Sequence, residues 1–456
     1  MRSRPGPLRN WQSFLSLVVK SAQLGCDGVW ETMLDLYDSA FQALGAYGLA
    51  KNISPFLHLP DDSCPQDTAQ DLALAVELKF LLPLLVQGKP DPAPKDPRPI
   101  QIIPKHQKDG KGPLLLAHES IARTIRSAHQ LATTTDTISS VGLSEPNFWN
   151  SHWIVKKAGS AEARDDDKDT GGRLRESYLW VPVEISSPKM RARDPSTDVK
   201  IKKVLQALTA NHRLAANYTC EVHVHLGRMD GRPFALPTLQ RLASLLWAAE
   251  PTLRSIRNPS SPNYHNVFTW GSEMRRFSRL ALEIASSPSS NNPESSIAQQ
   301  DHEALDKIWG ASSYLDLGRL LSGPTKQYRR LGFNFSSFGL EDDRAHRSPR
   351  TIEFRMMEGT TRGDLIHSWV RICASVCEAA IEGTEDRFCR ALGRLLHQDD
   401  DSDAGENPET LGAEKARAFR GLMQDLGVPR SVSTGFEAKV LRDWDDWQPA
   451  NEGRNT

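Results

Sequence analysis

The sequence predicts an α+β fold in which a curved, mainly antiparallel sheet carries helices on its apolar face. Several segments alternate apolar and polar residues with the period of a strand. Segments with helical periodicity follow some of them, such as Leu236 to Leu253 and Leu365 to Ala380. The strands do not lead into a glycine-rich dinucleotide turn, which argues against a doubly wound nucleotide-binding fold.

The chain divides into three parts by composition. Residues 1–70 have apolar residues at helical spacing between 10 and 50 and are expected to form a mostly helical extension. Residues 71–395 open with an apolar strand, Leu72 to Leu85, and are expected to form the functional domain. Residues 396–456 are expected to be an acidic loop and a C-terminal tail.

Charge and cysteine content exclude several classes of protein. The 456 residues include 56 Lys+Arg and 57 Asp+Glu. This balance argues against a protein that covers nucleic acid or anionic lipid. The most apolar stretch, Leu72 to Val86, contains Glu77, Lys79 and Pro83 and is no membrane span. The six cysteines form no C-x-x-C pair, so we expect a reducing compartment and a cytoplasmic protein.

Four predicted strands present charged side chains on one face and aliphatic side chains on the other. These segments are AVELKFLL, VPVEISSP, CEVHVHLG and RTIEFRMMEG; their charged or imidazole positions are Glu77, Lys79, Glu184, Glu221, His223, His225, Glu353 and Arg355. For any single strand, an antiparallel sheet with one solvated face explains this alternation, and no function is needed. However, His-x-His and Glu-x-Arg are unusual on a solvated strand. Carboxylates that converge repel each other, so we expect a hard divalent cation among them.

In this order, the four segments resemble the amidoligase family, whose members are carboxylate–amine ligases related to glutamine synthetase and to glutamate–cysteine ligase. AVELKFLLP matches the opening strand of the family, and NFSSF, TIEFRMMEGT and the helix with IHSWVRI match later motifs. The resemblance covers roughly residues 71 to 385. It implies a glutamine-synthetase-like catalytic fold and an ATP-dependent ligase that forms an amide or peptide-like bond through an acyl phosphate. The substrates would be small-molecule or peptide carboxylates and amines.

The resemblance also implies a metal site. Glu77, His223 and Glu353 would hold Mg²⁺ next to ATP, and Mn²⁺ is a reasonable substitute because imidazole is a soft ligand for Mg²⁺. Glu184 would belong to a second metal site or to the amine site.

Three further residues would contact the nucleotide or the substrate. His225 would contact phosphate, and Arg355 would bind the transferring phosphoryl group or the substrate carboxylate, since its fork suits either partner. Asn334 lies at a position that the family favours and is assigned to the cofactor site.

Two residues depart from the family pattern. Lys79 replaces the second glutamate of the opening strand, and Ala158 replaces an aspartate, while Ser160 is retained. A protonated Lys79 about 4 Å from a divalent ion would be repelled by about 8 kcal/mol at an effective dielectric constant of about 20. Either its ammonium points away from the sheet face, or it replaces part of the charge of one metal. The alternative is a catalytically degenerate relative that acts as a nucleotide-binding or scaffold module.

A zinc hydrolase is the other enzyme class that the residues allow. His-x-His with Glu77, Glu184 or Glu353 could complete a zinc site. The segment HESIA lacks the second histidine of H-E-x-x-H, and the sequence contains no P-loop and no G-x-S-x-G motif.

Substrate specificity is expected to come from surface loops. The candidates are the charged loop 159–176 and the region around Arg254, Arg257 and Tyr264.

Overall fold

A computed structural model describes most of the chain. The described residues are 67–104, 111–135, 137, 148–264, 272–286, 297–324, 331–340, 350–397 and 411–447. The helical extension expected between residues 10 and 50 lies outside them.

The described residues form one sheet of nine strands. The strands are β1 (Leu72–Val86), β2 (Gln101–Ile103), β3 (Ala132–Thr134), β4 (Trp153–Lys157), β5 (Tyr178–Ser186), β6 (Met190–Arg191), β7 (Glu221–Arg228), β8 (Phe333–Asn334) and β9 (Thr351–Glu358). Their spatial order is β3-β4-β5-β1-β7-β9-β8, and β2 and β6 also pair with β1. The pairs β1–β2 and β3–β4 are parallel, and the other pairs are antiparallel. The predicted α+β class with a mainly antiparallel sheet is confirmed.

Helices connect and cover these strands. They are α1 (Lys111–Ser127), α2 (Phe148–Ser151), α3 (Arg173–Ser177), α4 (Pro195–Asn211), α5 (Leu236–Arg254), α6 (Met274–Phe277), α7 (Arg279–Ala285), α8 (Ile297–Trp309), α9 (Tyr314–Leu320), α10 (Gly363–Glu382), α11 (Glu385–His397), α12 (Leu411–Asp425) and α13 (Arg430–Asp445). A 3₁₀ turn, Ala69–Asp71, precedes β1. The two helices predicted from periodicity correspond to α5 and α10. None of the described helices combines the length and the apolar character needed to cross a bilayer.

The aliphatic face of the sheet packs against the helices. Val76, Leu78 and Phe80 of β1 are at most 1% exposed and belong to the main hydrophobic cluster. Trp369 of α10 contacts Phe354 of β9 edge to face, with ring centroids 6.4 Å apart. Burying side chains of this size contributes roughly 1.5–3 kcal/mol each, so this layer stabilises the sheet from one side and leaves the other face for polar groups.

The C-terminal region differs from the acidic loop and tail expected for residues 396–456. Residues 411–445 form α12 and α13, whose Phe419 and Phe436 are at most 1% exposed. Phe436 contacts Trp369 with ring centroids 6.1 Å apart. These aromatic residues recur at helical spacing between charged ones, and their burial makes this region part of the core rather than a tail.

Candidate active site

The polar side chains lie on adjacent strands in the middle of the sheet. The strands β5, β1, β7 and β9 are consecutive neighbours. The register pairs Glu77 with His223 and His225 with Glu353. Directly opposite residues of antiparallel strands present their side chains to the same face, about 5 Å apart. The register therefore brings two carboxylates and two imidazoles together on the polar face.

Glu77, His225 and Glu353 form a group with the geometry of a metal site. One ligand atom from each lies within 4.8 Å of the other two. The Nε2 atom of His225 is 3.7 Å from Oε1 of Glu77 and 3.7 Å from Oε1 of Glu353. This nitrogen is buried and has no hydrogen-bond partner among the described residues. Ligand atoms that each lie about 2.1 Å from one Mg²⁺ ion are about 3–4 Å apart, so the donor set fits a divalent cation.

Both carboxylates of this group are held in the ionised form. Burial alone would raise the pKa of Glu77, but the neighbouring imidazoles of His223 and His225 outweigh this effect and keep that pKa well below its usual value. Burial opposes ionisation of Glu353 as well, but the charge of Arg355 and the two histidines lower its pKa well below the usual range. Ionised oxygens are the ligands that hard divalent cations prefer.

His223 lies two residues before His225 on β7 and is more deeply buried. Both of its ring nitrogens contact carboxylate oxygens. Its Nε2 is 2.9 Å from Oε2 of Glu221, and its Nδ1 is 3.1 Å from Oε1 of Glu353. Burial and the charges of Arg355 and Lys79 oppose protonation, but the carboxylates raise the pKa of His223 to about 9. In this arrangement, both ring nitrogens of His223 face carboxylates of the chain itself. The sequence assigned His223 to the metal and His225 to phosphate. Both rings lie beside Glu77 and Glu353, and the group of three ligand atoms contains His225.

Glu353 is oriented from two sides. The Nδ2 atom of Asn334 donates to its Oε2 at 2.7 Å, and the guanidinium of Arg355 forms a salt bridge with its Oε1. Arg355 is 2% exposed, and its second amino group is 3.8 Å from Oε2 of Glu221. Asn334 and Arg355, which the sequence assigned to the nucleotide or substrate, therefore lie in the floor of the site and position the carboxylate of Glu353.

Glu184 lies on the same face, on the far side of β1 from His225. The register pairs it with Lys79 of β1 and with Lys156 of β4. The Nζ atom of Lys156 is 2.9 Å from Oε1 of Glu184 and 3.8 Å from Oε1 of Glu77. Glu184 is therefore linked to Glu77 through an ammonium group, and it is not a member of the three-ligand group.

Comparison with known protein families matches residues 151–377 to a family described as "Putative amidoligase enzyme". Through these residues, the chain belongs to the amidoligase family. The match spans β4 to most of α10 and so includes His225 and Glu353, whereas Glu77 on β1 precedes it. No curated protein and no solved structure matches the chain.

In this amidoligase, Lys79 points along the polar face toward Glu221. Its ammonium is 3.1 Å from Oγ of Ser160, 3.6 Å from Oε2 of Glu221 and 3.4 Å from Nε2 of His223. Burial would raise the pKa of Glu221, but His223, Arg355 and Lys79 hold it at about 2. The ammonium of Lys79 thus does not point away from the polar face. It lies on that face and faces an ionised carboxylate of the chain itself.

The second departure from the family pattern is buried in an apolar group. Ala158 is 1% exposed and clusters with Leu81, Ala161 and Cys220. A carboxylate at this position would lose its hydration without a hydrogen-bond partner in this apolar group, which is costly. The alanine therefore suits its surroundings, and the nearby Ser160 contacts Lys79.

Two residues of the amidoligase site were not assigned a role from the sequence. Glu221 begins the alternating series Glu-x-His-x-His, so its position on the polar face was visible, but its pairing with Lys79 depends on the neighbouring strand. Lys156 lies on β4, where the segment WIVKK shows only a short alternation, and its contact with Glu184 follows from strand pairing.

Proposed function

We propose that this chain is an ATP-dependent carboxylate–amine ligase that forms an amide or peptide-like bond on the polar face of a glutamine-synthetase-like sheet. The observation that carries the proposal is the group formed by Glu77, His225 and Glu353. Nε2 of His225, which has no hydrogen-bond partner in the described residues, lies between two ionised carboxylates. Membership of the amidoligase family supports the same class of reaction.

Mg²⁺ or Mn²⁺ fits this group. Glu77, Glu353 and His225 would hold the ion, and the imidazole makes Mn²⁺ a suitable alternative to Mg²⁺. Such an ion, when bound, neutralises charge on the nucleotide phosphates. Arg355 and Asn334 keep the carboxylate of Glu353 in place, so the site is preorganised before the substrates bind.

The reaction would follow two displacement steps. An oxygen of the substrate carboxylate attacks the γ-phosphorus of ATP, the bond to the bridging oxygen breaks, and ADP leaves. The amine nitrogen then attacks the acyl carbon, phosphate leaves with the bonding electrons, and the nitrogen loses a proton. We assign the amine to the side of the site near Glu184, because that carboxylate lies outside the three-ligand group and already pairs with one ammonium group, that of Lys156.

Thermal unfolding with Mg-ATP or Mn-ATP tests the proposal. Ligand at 100 times its Kd stabilises the native state by about 2.7 kcal/mol, so the Tm of the wild type should rise by several degrees. Glu353→Ala is expected to abolish the rise, while Glu176→Ala, at an exposed position of α3, is expected to keep it. A wild type that shows no rise at millimolar Mg-ATP contradicts the proposal.

The contacts of Lys79 favour one alternative function, a nucleotide-binding or scaffold module without turnover. An ammonium on the polar face replaces a carboxylate of the family pattern. ADP release in the presence of candidate carboxylates and amines separates the two proposals. If Lys79→Glu restores or increases ADP release, the site has decayed, whereas loss of an existing activity shows an adapted site.

We also propose a cytoplasmic location. Cys220, Cys373 and Cys377 are free, buried thiols in the described part of the chain. Burial raises the pKa of the Cys220 thiol to about 12, so this thiol is unreactive. Free thiols of this kind are typical of proteins from reducing compartments.

A further inference from the structure

The loop that follows α5 contains a buried arginine for which the described residues supply no counterion. Arg257 is 3% exposed, and its Nε atom is buried. Within the described ranges, no carboxylate and no other hydrogen-bond acceptor is found for its guanidinium. A buried charge that lacks a partner is strongly destabilising, so such a group is rarely kept without a ligand.

The neighbouring cations differ from Arg257 because each has a partner. Arg254 forms a salt bridge with Glu273 and stacks on the ring of Tyr264, with its guanidinium carbon 4.5 Å from the ring centroid. The ammonium of Lys439 is 2.7 Å from Oδ2 of Asp443. Arg257 therefore adds positive charge to a region whose other cations are already paired.

The charge of Arg257 acts close to Tyr264. Burial raises the pKa of the Tyr264 phenol, and the positive charges of Arg254 and Arg257 oppose this rise. Burial also lowers the pKa of Arg254, and the charge of Arg257 lowers it further. Two guanidinium groups that repel each other beside an aromatic ring form a site that an anion stabilises.

This loop adjoins the end of the polar row of the sheet. The backbone N–H of Asn258, the next residue after Arg257, donates to Oε2 of Glu358 at 3.1 Å. Glu358 is paired with Glu221 in the register of β7 and β9. The same carboxylate of Glu358 is 3.5 Å from the ammonium of Lys439, so it has partners of its own. The guanidinium of Arg257, which has no partner in the described part of the chain, thus lies in the loop that adjoins the β7–β9 end of the candidate active site.

We propose that Arg257 is a binding residue for an oxyanion, a carboxylate or phosphate group carried by a substrate. A guanidinium presents a rigid fork of donors that matches either oxyanion through two parallel hydrogen bonds, and such charge-assisted bonds are stronger than neutral ones. Water and salt screen the attraction of a buried ion pair less than that of an exposed pair. That the anion belongs to a substrate rests on the ligase function proposed above; the anion site itself does not.

Anion binding to the full chain tests this inference. The probes are succinate and inorganic phosphate, each titrated at constant ionic strength against the Tm of the wild type, Arg257→Met, Arg257→Lys and Arg417→Met. Arg417 is the matched control because it is exposed and also has no recorded partner in the described residues. We expect a saturable rise of Tm in the wild type and in Arg417→Met, and an affinity at least about tenfold weaker in Arg257→Met. If succinate binding depends on Arg257, the ligand is a carboxylate. If only phosphate binding depends on Arg257, the ligand is a phosphate group.

The ligand-free variants separate binding from a structural role. A structural arginine would lower the Tm when replaced, whereas an unpaired buried charge is expected to leave Arg257→Met at least as stable as the wild type. The inference is overturned if neither anion binds, or if Arg257→Met binds both as tightly as the wild type. Should Arg257→Met not fold, Arg257→Lys decides: an affinity at least about threefold weaker at unchanged Tm supports the inference, and wild-type affinity overturns it.

Mn²⁺ binding measured on the same proteins keeps the two proposals apart. We expect Arg257→Met to bind Mn²⁺ as the wild type does, because Arg257 is not in the group of Glu77, His225 and Glu353. A wild type that binds the anions through Arg257 but no Mn²⁺ would contradict the ligase function and support the anion site.

Discussion

Lys79 and Glu221 lie on neighbouring strands with the ammonium nitrogen 3.6 Å from Oε2, and their side chains are only 6% and 7% exposed. The pair places one positive charge of the chain on the face that also holds Glu77, Glu353 and the histidines. Because burial penalises an isolated charge, each member of the pair offsets part of the cost of burying the other.

Breaking this pair is expected to destabilise the protein. Lys79→Met leaves the carboxylate of Glu221 with one cation fewer, and removing one partner of a buried pair costs about 3–5 kcal/mol. Urea denaturation measures the free energy of unfolding. Lys89→Met, at an exposed position, should change it by no more than about 0.5 kcal/mol. A loss below about 1 kcal/mol for Lys79→Met would show that Arg355 and His223 alone stabilise Glu221.

The two histidines of β7 are expected to respond differently to substitution. His225→Asn removes a ring whose Nε2 has no hydrogen-bond partner in the described residues, although its charge helps to ionise Glu77 and Glu353, so the ion-free protein should lose less stability than His223→Asn does. Its affinity for Mn²⁺ should fall by at least about 10–100-fold. His223→Asn breaks contacts with Glu221 and Glu353 and should lower the free energy of unfolding by about 3 kcal/mol.

Calorimetric titration with Mn²⁺ and urea denaturation of the same samples check both halves of this prediction. If His223→Asn lost Mn²⁺ binding at full stability while His225→Asn retained it, the role that the sequence suggested for His223 would be correct.

Strand alternation predicted which face of the sheet is polar, because a period of two determines the face of every side chain in a strand. Alternation alone does not separate the roles of His223 and His225, since both point to the same face. The choice depends on Glu221, which engages Nε2 of His223, and on the register that places Glu353 opposite His225. Both are properties of strand pairing, which alternation within one strand does not contain.

The missed helices α12 and α13 have a different cause. The acidic segment between about 397 and 409 predicts a solvated tail, but the residues after it carry an apolar stripe of their own. Phe436 packs against Trp369, and Phe419 packs against Phe436. The number of charged residues in the segment does not predict these contacts. Composition describes a segment only over its own length, whereas the helical spacing of apolar residues beyond residue 410 indicates the helices.

Stability is expected to fall on mild acidification because of His212, which follows α4. His212 is 7% exposed, its Nε2 is 2.8 Å from Oγ1 of Thr124, and burial lowers its pKa to about 4. In the unfolded chain the pKa is about 6.5, so between about pH 6.5 and 4 only the unfolded chain binds this proton. The free energy of unfolding therefore falls as the pH falls through this window, by at most about 3 kcal/mol in total.

Urea denaturation between pH 4 and 7 measures this dependence. His212→Gln should flatten it, whereas His302→Gln, at an exposed position of α8, should leave the slope of the wild type. An unchanged slope in His212→Gln would mean that carboxylates, and not this histidine, dominate the pH dependence.

Glu184 is expected to affect the amine substrate and not the metal. Its Oε1 is 2.9 Å from Nζ of Lys156, and it is not a member of the three-ligand group. Glu184→Gln should therefore change the affinity for Mn²⁺ by less than about twofold, whereas Glu77→Gln should lower it at least about tenfold. In a ligase assay, Glu184→Gln should raise the KM for the amine with a smaller change in kcat, since a lost ion pair weakens binding in the ground state as well as in the transition state. If Glu184→Gln lowered the affinity for Mn²⁺ as much as Glu77→Gln does, Glu184 would belong to a second metal site, and Lys156 would then have to move away from it when the ion binds.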